Sequence, residues 1–116
     1  MVLAVVDDLM FTSKIKTAAQ QLGVAVTFAR SSDAAVTGMR TAAPALVILD
    51  LNSPRTDPLG IVAAMKRDPA LASIPTIGFV SHVQTDLINA ARAAGVDEVL
   101  ARSAFTARLA EILTGR

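Results

Sequence analysis

The sequence predicts an α/β domain in which five parallel strands form one doubly wound sheet and five helices cover its two faces. Three observations predict it. Short continuous apolar runs alternate with segments whose apolar residues recur at helical spacing, the pattern of strands buried between helices. The alternation repeats five times, and right-handed crossovers then place the strands in one sheet. The chain has 116 residues, the size of one domain with no room for a second, so residues 1–116 are expected to form a single unit.

The first run, "VLAVV", ends at Asp7 and Asp8. Phe11, Ile15, Ala18 and Leu22 follow as one stripe of a helix that Gly23 closes. The second run is "VAVTFA"; its helix starts with Ser32 or Asp33 as N-cap, buries Ala35, Val36 and Met39, and stops before Pro44. The third is "ALVIL", which leads through Asp50 to Asp57 as N-cap and Pro58 at the first helical position of "LGIVAAMKR". Asp68-Pro69 ends that helix. The fourth run, "PTIGFV", ends at Ser81-His82, and Leu87, Ile88, Ala91 and Ala94 face the core from the next helix until Gly95. The fifth, "EVLA", ends at Arg102, and Thr106 is placed to cap a final helix that buries Leu109, Ile112 and Leu113.

Composition excludes several classes of function. Apolar residues make up 53% of the chain, but charges interrupt every run well before the roughly 18 apolar positions of a membrane span. Asp7 and Asp8 arrive too early for a secretory leader, so a cytoplasmic location is expected. With no cysteine there is no disulfide, thiolate chemistry or cysteine-ligated metal. A net charge of +1, scattered arginines and the absence of Trp and Tyr give nucleic acid neither an electrostatic footprint nor a stacking surface.

Sites in open parallel sheets form outside the carboxyl ends of the strands. The residues there are Asp7, Asp8, Asp50, Ser81 and Arg102. Three carboxylates brought together repel one another unless a cation sits among them. Oxygen ligands of this kind suit a hard divalent ion, Mg²⁺ where a phosphoryl group completes the shell. The hydroxyl and the guanidinium supply donors for a second, anionic guest.

Four segments carry a family resemblance: "VVDD" after the first strand, "LDLNSP" around the third, "VSH" at the fourth and "GVDEVLARSAF" around the fifth. In that order and spacing, the chain resembles a response-regulator receiver domain of the single-domain chemotaxis type, which implies a flavodoxin-like fold. The resemblance implies that Asp50 accepts a phosphoryl group from a sensor histidine kinase, a phosphotransfer protein or a small phosphodonor. Mg²⁺ would be held by Asp7, Asp8, Asp50 and the backbone carbonyl of Asn52. Ser81 would hydrogen-bond the phosphoryl oxygen and Arg102 would face it. A receiver of this kind is a signalling module of a two-component system or phosphorelay rather than an enzyme, and acts on a separate output protein.

The chain departs from the family pattern in five places, one of which, Pro58 for a common glycine after Asp57, is explained by helix capping. Arg102 replaces a lysine, exchanging a compact charge for a planar, two-pronged one. Ser103 replaces the proline whose preceding peptide bond is commonly cis; without proline the cis form costs about 2.5 to 4 kcal/mol, so a trans bond and a reshaped loop are expected. Val99 takes the place of the switching aromatic and is expected as a core valine. His82 follows Ser81 and is expected to be exposed and inert. These departures define an alternative: a degenerate receiver with Arg102 paired to Asp50, serving as a phosphorylation-independent interaction module. An aspartyl-phosphate phosphatase would need an acid where Asn52 stands, and a flavin carrier would need a phosphate-cradling loop where "DDLMFTS" places acids.

Overall fold

The computed structural model of the chain describes residues 1–81 and 84–115. The strands are β1 (Val2–Val5), β2 (Val26–Ala29), β3 (Leu46–Asp50), β4 (Thr76–Val80) and β5 (Glu98–Ala101). The helices are α1 (Leu9–Leu22), α2 (Ser32–Thr41), α3 (Pro58–Arg67), α4 (Thr85–Ala94), α5 (Arg102–Ala107) and α6 (Leu109–Thr114). All neighbouring strands pair in parallel, in the order β2-β1-β3-β4-β5. The chain therefore turns one way after β1 and the other way after β3, and the loops leaving those two strands diverge to open a crevice at their carboxyl ends.

Two cores form because successive strand residues point to opposite faces. Leu3, Val5, Val47 and Leu49 face one side, where they meet Ala35 and Met39 of α2, Ile61, Val62 and Met65 of α3, and Ala91 of α4. Val2, Ala4 and Ile48 face the other, against Phe11, Ile15 and Ala19 of α1, Phe105 of α5 and Leu109 of α6. This is the doubly wound α/β arrangement expected. Phe79 of β4 stacks between Phe11 and Phe105, with ring centroids 4.6 and 4.7 Å away.

Most boundaries follow their sequence signals, and the exceptions have local causes. Asp57 caps α3, its carboxylate accepting from the Gly60 N–H at 3.3 Å, with Pro58 in the first turn, as expected. Asp57 adopts a left-handed conformation (φ 47°), and Gly60 is what lets its side chain fold back: a Cβ there would lie 2.7 Å from the Asp57 Cγ. The cap of α2 is Ser31, one residue earlier than expected, its Oγ accepting from the Ala34 N–H. In α1 the buried stripe is Phe11, Ile15 and Ala19, each four residues apart; Ala18 is half-buried, and Leu22, the last residue of the helix, is exposed.

The last helical segment differs most. It starts at Arg102 directly from β5 and breaks at Arg108 into α5 and α6, so Thr106 lies inside a helix instead of capping one. No peptide bond among the described residues is cis, in line with the expectation for Ser103. Val99 is half-buried and packs on the core of α2, α3 and α4, as a strand valine should. No helix of the described residues is long and apolar enough to cross a membrane. The expectation for His82 lies outside the described residues.

Gly78, in the middle of β4, lets the residue after Asp50 close over the sheet. A Cβ at this position would stand 2.8 Å from Leu51 Cδ1, and Leu51 is itself buried. Gly78→Ala is expected to destabilise the fold by about 1–3 kcal/mol through overpacking beside Asp50, read as a lowered urea midpoint at unchanged slope.

Candidate functional site

Asp50 is the last residue of β3, paired with Phe79 of β4, and only 5% exposed. It lies on the same side of the sheet as Ile48, toward α1 and α5. Burial pushes its carboxyl above the usual value of 3.8. The Asn52 N–H, donating to Asp50 Oδ1 at 3.0 Å, and the nearby Arg102 charge oppose that rise, while Asp8 and Asp7 add to it.

Asp7 and Asp8 arrive from β1 on the other lip of the crevice. Asp8 caps α1, its Oδ1 accepting from the N–H groups of Met10 at 2.8 Å and Phe11 at 3.2 Å. Its Oδ2 faces Arg102 Nη2 at 3.7 Å. Asp7 lies between Arg30 and Arg55, whose Nε atoms stand 4.0 and 3.7 Å from its two oxygens. Arg102 thus makes its ion pair with Asp8 and reaches Asp50 only through its field. Its guanidinium is supported from below by the rings of Phe11 and Phe79, 4.8 and 5.9 Å from their centroids, a cation-π placement. Arg102 Nε is buried and has no hydrogen-bond partner among the described residues, which leaves one donor without an acceptor.

Asn52 ties two loops together. Its Nδ2 donates to Gln84 Oε1 at 2.6 Å, and its Oδ1 accepts from the Ser81 N–H at 2.7 Å and the Ser81 hydroxyl at 3.2 Å. The loop after β3 is thereby fastened to the start of α4, with Ser81 held between them.

One pocket of about 460 Å³ is lined by Asp7, Asp8, Asp50, Asn52, Ser81 and Arg102, together with Ser53 and Pro54. All six residues expected from the sequence therefore meet in one place. Their donor chemistry fits a hard divalent cation: three carboxylates, with Asp50 already under the negative potential of the other two. In the present arrangement no three acidic side chains of the described residues converge on a single ion position. The reason is visible in the contacts, because Asp8 is turned to its helix cap and Asp7 to its two arginines.

Arg30, Arg55 and Gln84 are site neighbours that sequence reasoning missed. Arg30 directly follows β2 and so belongs to the same set of strand-end residues as Asp7 and Asp50; extending that rule to the second strand finds it. Arg55 and Gln84 lie in loops where no periodicity marks them.

Residues 2–114 match the family model for the response regulator receiver domain. No curated protein sequence gives a significant match. Among solved structures, the chain is similar to the phosphorylated cyanobacterial phytochrome response regulator RcpA, with 25% identity, 98% of this chain and 88% of that chain covered, and a TM-score of 0.79. It is similar in fold to the Mn(2+)-bound form of response regulator Rcp1, with 22% identity, coverage of 98% and 88%, and a TM-score of 0.79. The chemotaxis response regulator CheY4 of Vibrio cholerae shares the fold at 20% identity, coverage of 98% and 95%, and a TM-score of 0.84.

Proposed function

Because this chain belongs to the response regulator receiver domain family, a family of signalling modules, we propose that residues 1–116 act as one receiver domain that accepts a phosphoryl group on Asp50. The donor is the phosphohistidine of a sensor histidine kinase or phosphotransfer protein, or a small phosphodonor. The observation that carries this reading is the pocket in which a buried strand-end carboxylate meets two further carboxylates, a hydroxyl and a guanidinium.

In the transfer, an oxygen of ionised Asp50 forms a bond to phosphorus as the bond from phosphorus to the donor atom breaks. The leaving group keeps the electron pair and takes up a proton, and Asp50 becomes an acyl phosphate. The Asn52 N–H and the Arg102 charge favour the ionised carboxylate against its burial. Asp7, Asp8, Asp50 and the Asn52 carbonyl would hold Mg²⁺, which supplies positive charge against the oxygens of the moving group. The Ser81 hydroxyl and the Arg102 guanidinium donate to those oxygens, and the buried, unpartnered Nε of Arg102 is suited to this role. Such a domain signals by contact with a separate output protein instead of by turnover. Its proposed partners are cytoplasmic, and so is its proposed location.

The test is incubation with acetyl phosphate and Mg²⁺ followed by intact mass measurement. The expected result is a gain of one phosphoryl group, absent in Asp50→Asn and absent with a chelator. No gain on the native chain overturns the reading. It would leave the second one, a phosphorylation-independent interaction module, which is favoured by the arginines already paired to Asp7 and Asp8.

A further inference from the structure

Among the described residues, every ion pair of Asp7 and Asp8 runs to an arginine, and the three arginines come from three parts of the chain. Arg30 leaves the end of β2, Arg55 stands in the loop between β3 and α3, and Arg102 opens α5. At Asp7 the arrangement is symmetrical: Oδ1 faces Arg30 and Oδ2 faces Arg55, so both carboxylate oxygens point at guanidiniums. These two pairs do little for the fold itself. The arginine side chains are 59% and 77% exposed, the distances are long, and exposed pairs of this kind are weak. Asp7 is different, because its side chain is only 18% exposed and lines the pocket.

We propose that Arg30 and Arg55 are the internal counter-cations of Asp7, positioning residues that hold this carboxylate away from a shared ion position and set the divalent-cation affinity of the site by competing for it. The inference rests on the receiver reading of the pocket and adds what that reading lacks, a reason why three carboxylates can share a pocket without converging. An ion approaching Asp7, directly or through its water, meets an oxygen whose charge a guanidinium already screens. Binding then requires displacement of at least one arginine. Both arginines sit at the rim, so they can withdraw into solvent without disturbing either core.

The experiment is a Mn²⁺ titration of the whole chain, followed by the electron paramagnetic resonance signal of the free ion. It compares the native protein with Arg30→Ala/Arg55→Ala, with Arg30→Lys/Arg55→Lys, and with Arg67→Ala/Arg92→Ala. The last pair is exposed and lies in the last turns of α3 and α4, which lead to the amino ends of β4 and β5, away from a pocket at the strands' carboxyl ends, and so controls for net charge. The double alanine variant is expected to bind Mn²⁺ about three- to tenfold more tightly, the size that removing two weak exposed pairs implies. The lysine variant and the remote variant are expected to stay within about twofold of the native protein, since lysine retains the competing charge and the remote arginines do not compete. Unchanged or weaker binding in the double alanine variant overturns the proposal. So does equal tightening in the remote variant, or an absence of binding in both native and variant protein. Phosphoryl uptake on Asp50, read by mass, decides the receiver reading separately: uptake with unaltered Mn²⁺ affinity sinks only the arginine proposal, and tightened Mn²⁺ binding without uptake sinks only the phosphoacceptor.

Discussion

Asp50→Asn is expected to unfold at a higher temperature than the native protein at pH 7 in the presence of a chelator, and the difference is expected to vanish in acid. Burial raises the Asp50 carboxyl above its usual 3.8, so the folded state holds this proton more tightly than the unfolded chain does. Below the usual carboxylate value both states are protonated and Asp50 does not oppose folding. As pH rises through the raised folded value, folding has to keep an ionised carboxylate buried, and stability is lost. Asparagine keeps an acceptor for the Asn52 N–H without the charge. The gain at neutral pH is on the order of 1 kcal/mol, the usual size of relief at a site kept strained for function, and corresponds to roughly 5 °C in midpoint for a domain of this size. Thermal melts between about pH 3 and pH 8 check it. A variant less stable than native at every pH would show that Asp50 is held by its partners more strongly than burial opposes it.

Phe79→Ala is expected to lower stability by about 3–5 kcal/mol, the cost of removing a buried aromatic and leaving its cavity. That is a large part of the roughly 5–15 kcal/mol that holds a typical domain together. Phe79 has no exposed surface and lies between Phe11 and Phe105, so its removal unstacks both neighbours at once. Urea unfolding gives the magnitude. Phe79→Leu keeps most of the volume, and its expected loss of about 1–1.5 kcal/mol leaves a folded protein in which the site can be assayed. Because Arg102 lies over Phe11 and Phe79, the leucine variant is expected to show altered phosphoryl uptake as well as altered stability. Unchanged uptake would mean that Asp8 alone orients the guanidinium.

The sequence showed the sheet and the strand-end residues clearly because both depend on local pattern. "VLAVV" and "ALVIL" are unbroken apolar runs, "PTIGFV" is interrupted by the buried Thr76, and Asp57-Pro58 is a cap that four residues suffice to specify. What it hid depends on partners distant in the chain. Asp8 was readable as a site carboxylate, but its second task as the cap of α1 was masked by the first. Thr106 carried a capping signal that lost to the direct run of β5 into α5, where Phe105 is drawn into the aromatic stack. Arg102 was expected opposite Asp50, yet its ion pair goes to Asp8, whose carboxylate is less buried and therefore easier to pair without further desolvation. The fastening of Asn52 to Ser81 and Gln84 spans about thirty residues of chain and follows from no short-range rule.

The passage of β5 into α5 without an intervening loop also bears on how motion travels through the molecule. Arg102 is at once a wall of the pocket and the first residue of a helix whose Phe105 is anchored in the core. A loop at this junction would act as a soft spring and absorb a small displacement at the pocket. The junction here is a rigid coupling: the guanidinium can change partners by turning its own side chain, but a shift of its backbone must drag the first turn of α5 and press on the stacked rings.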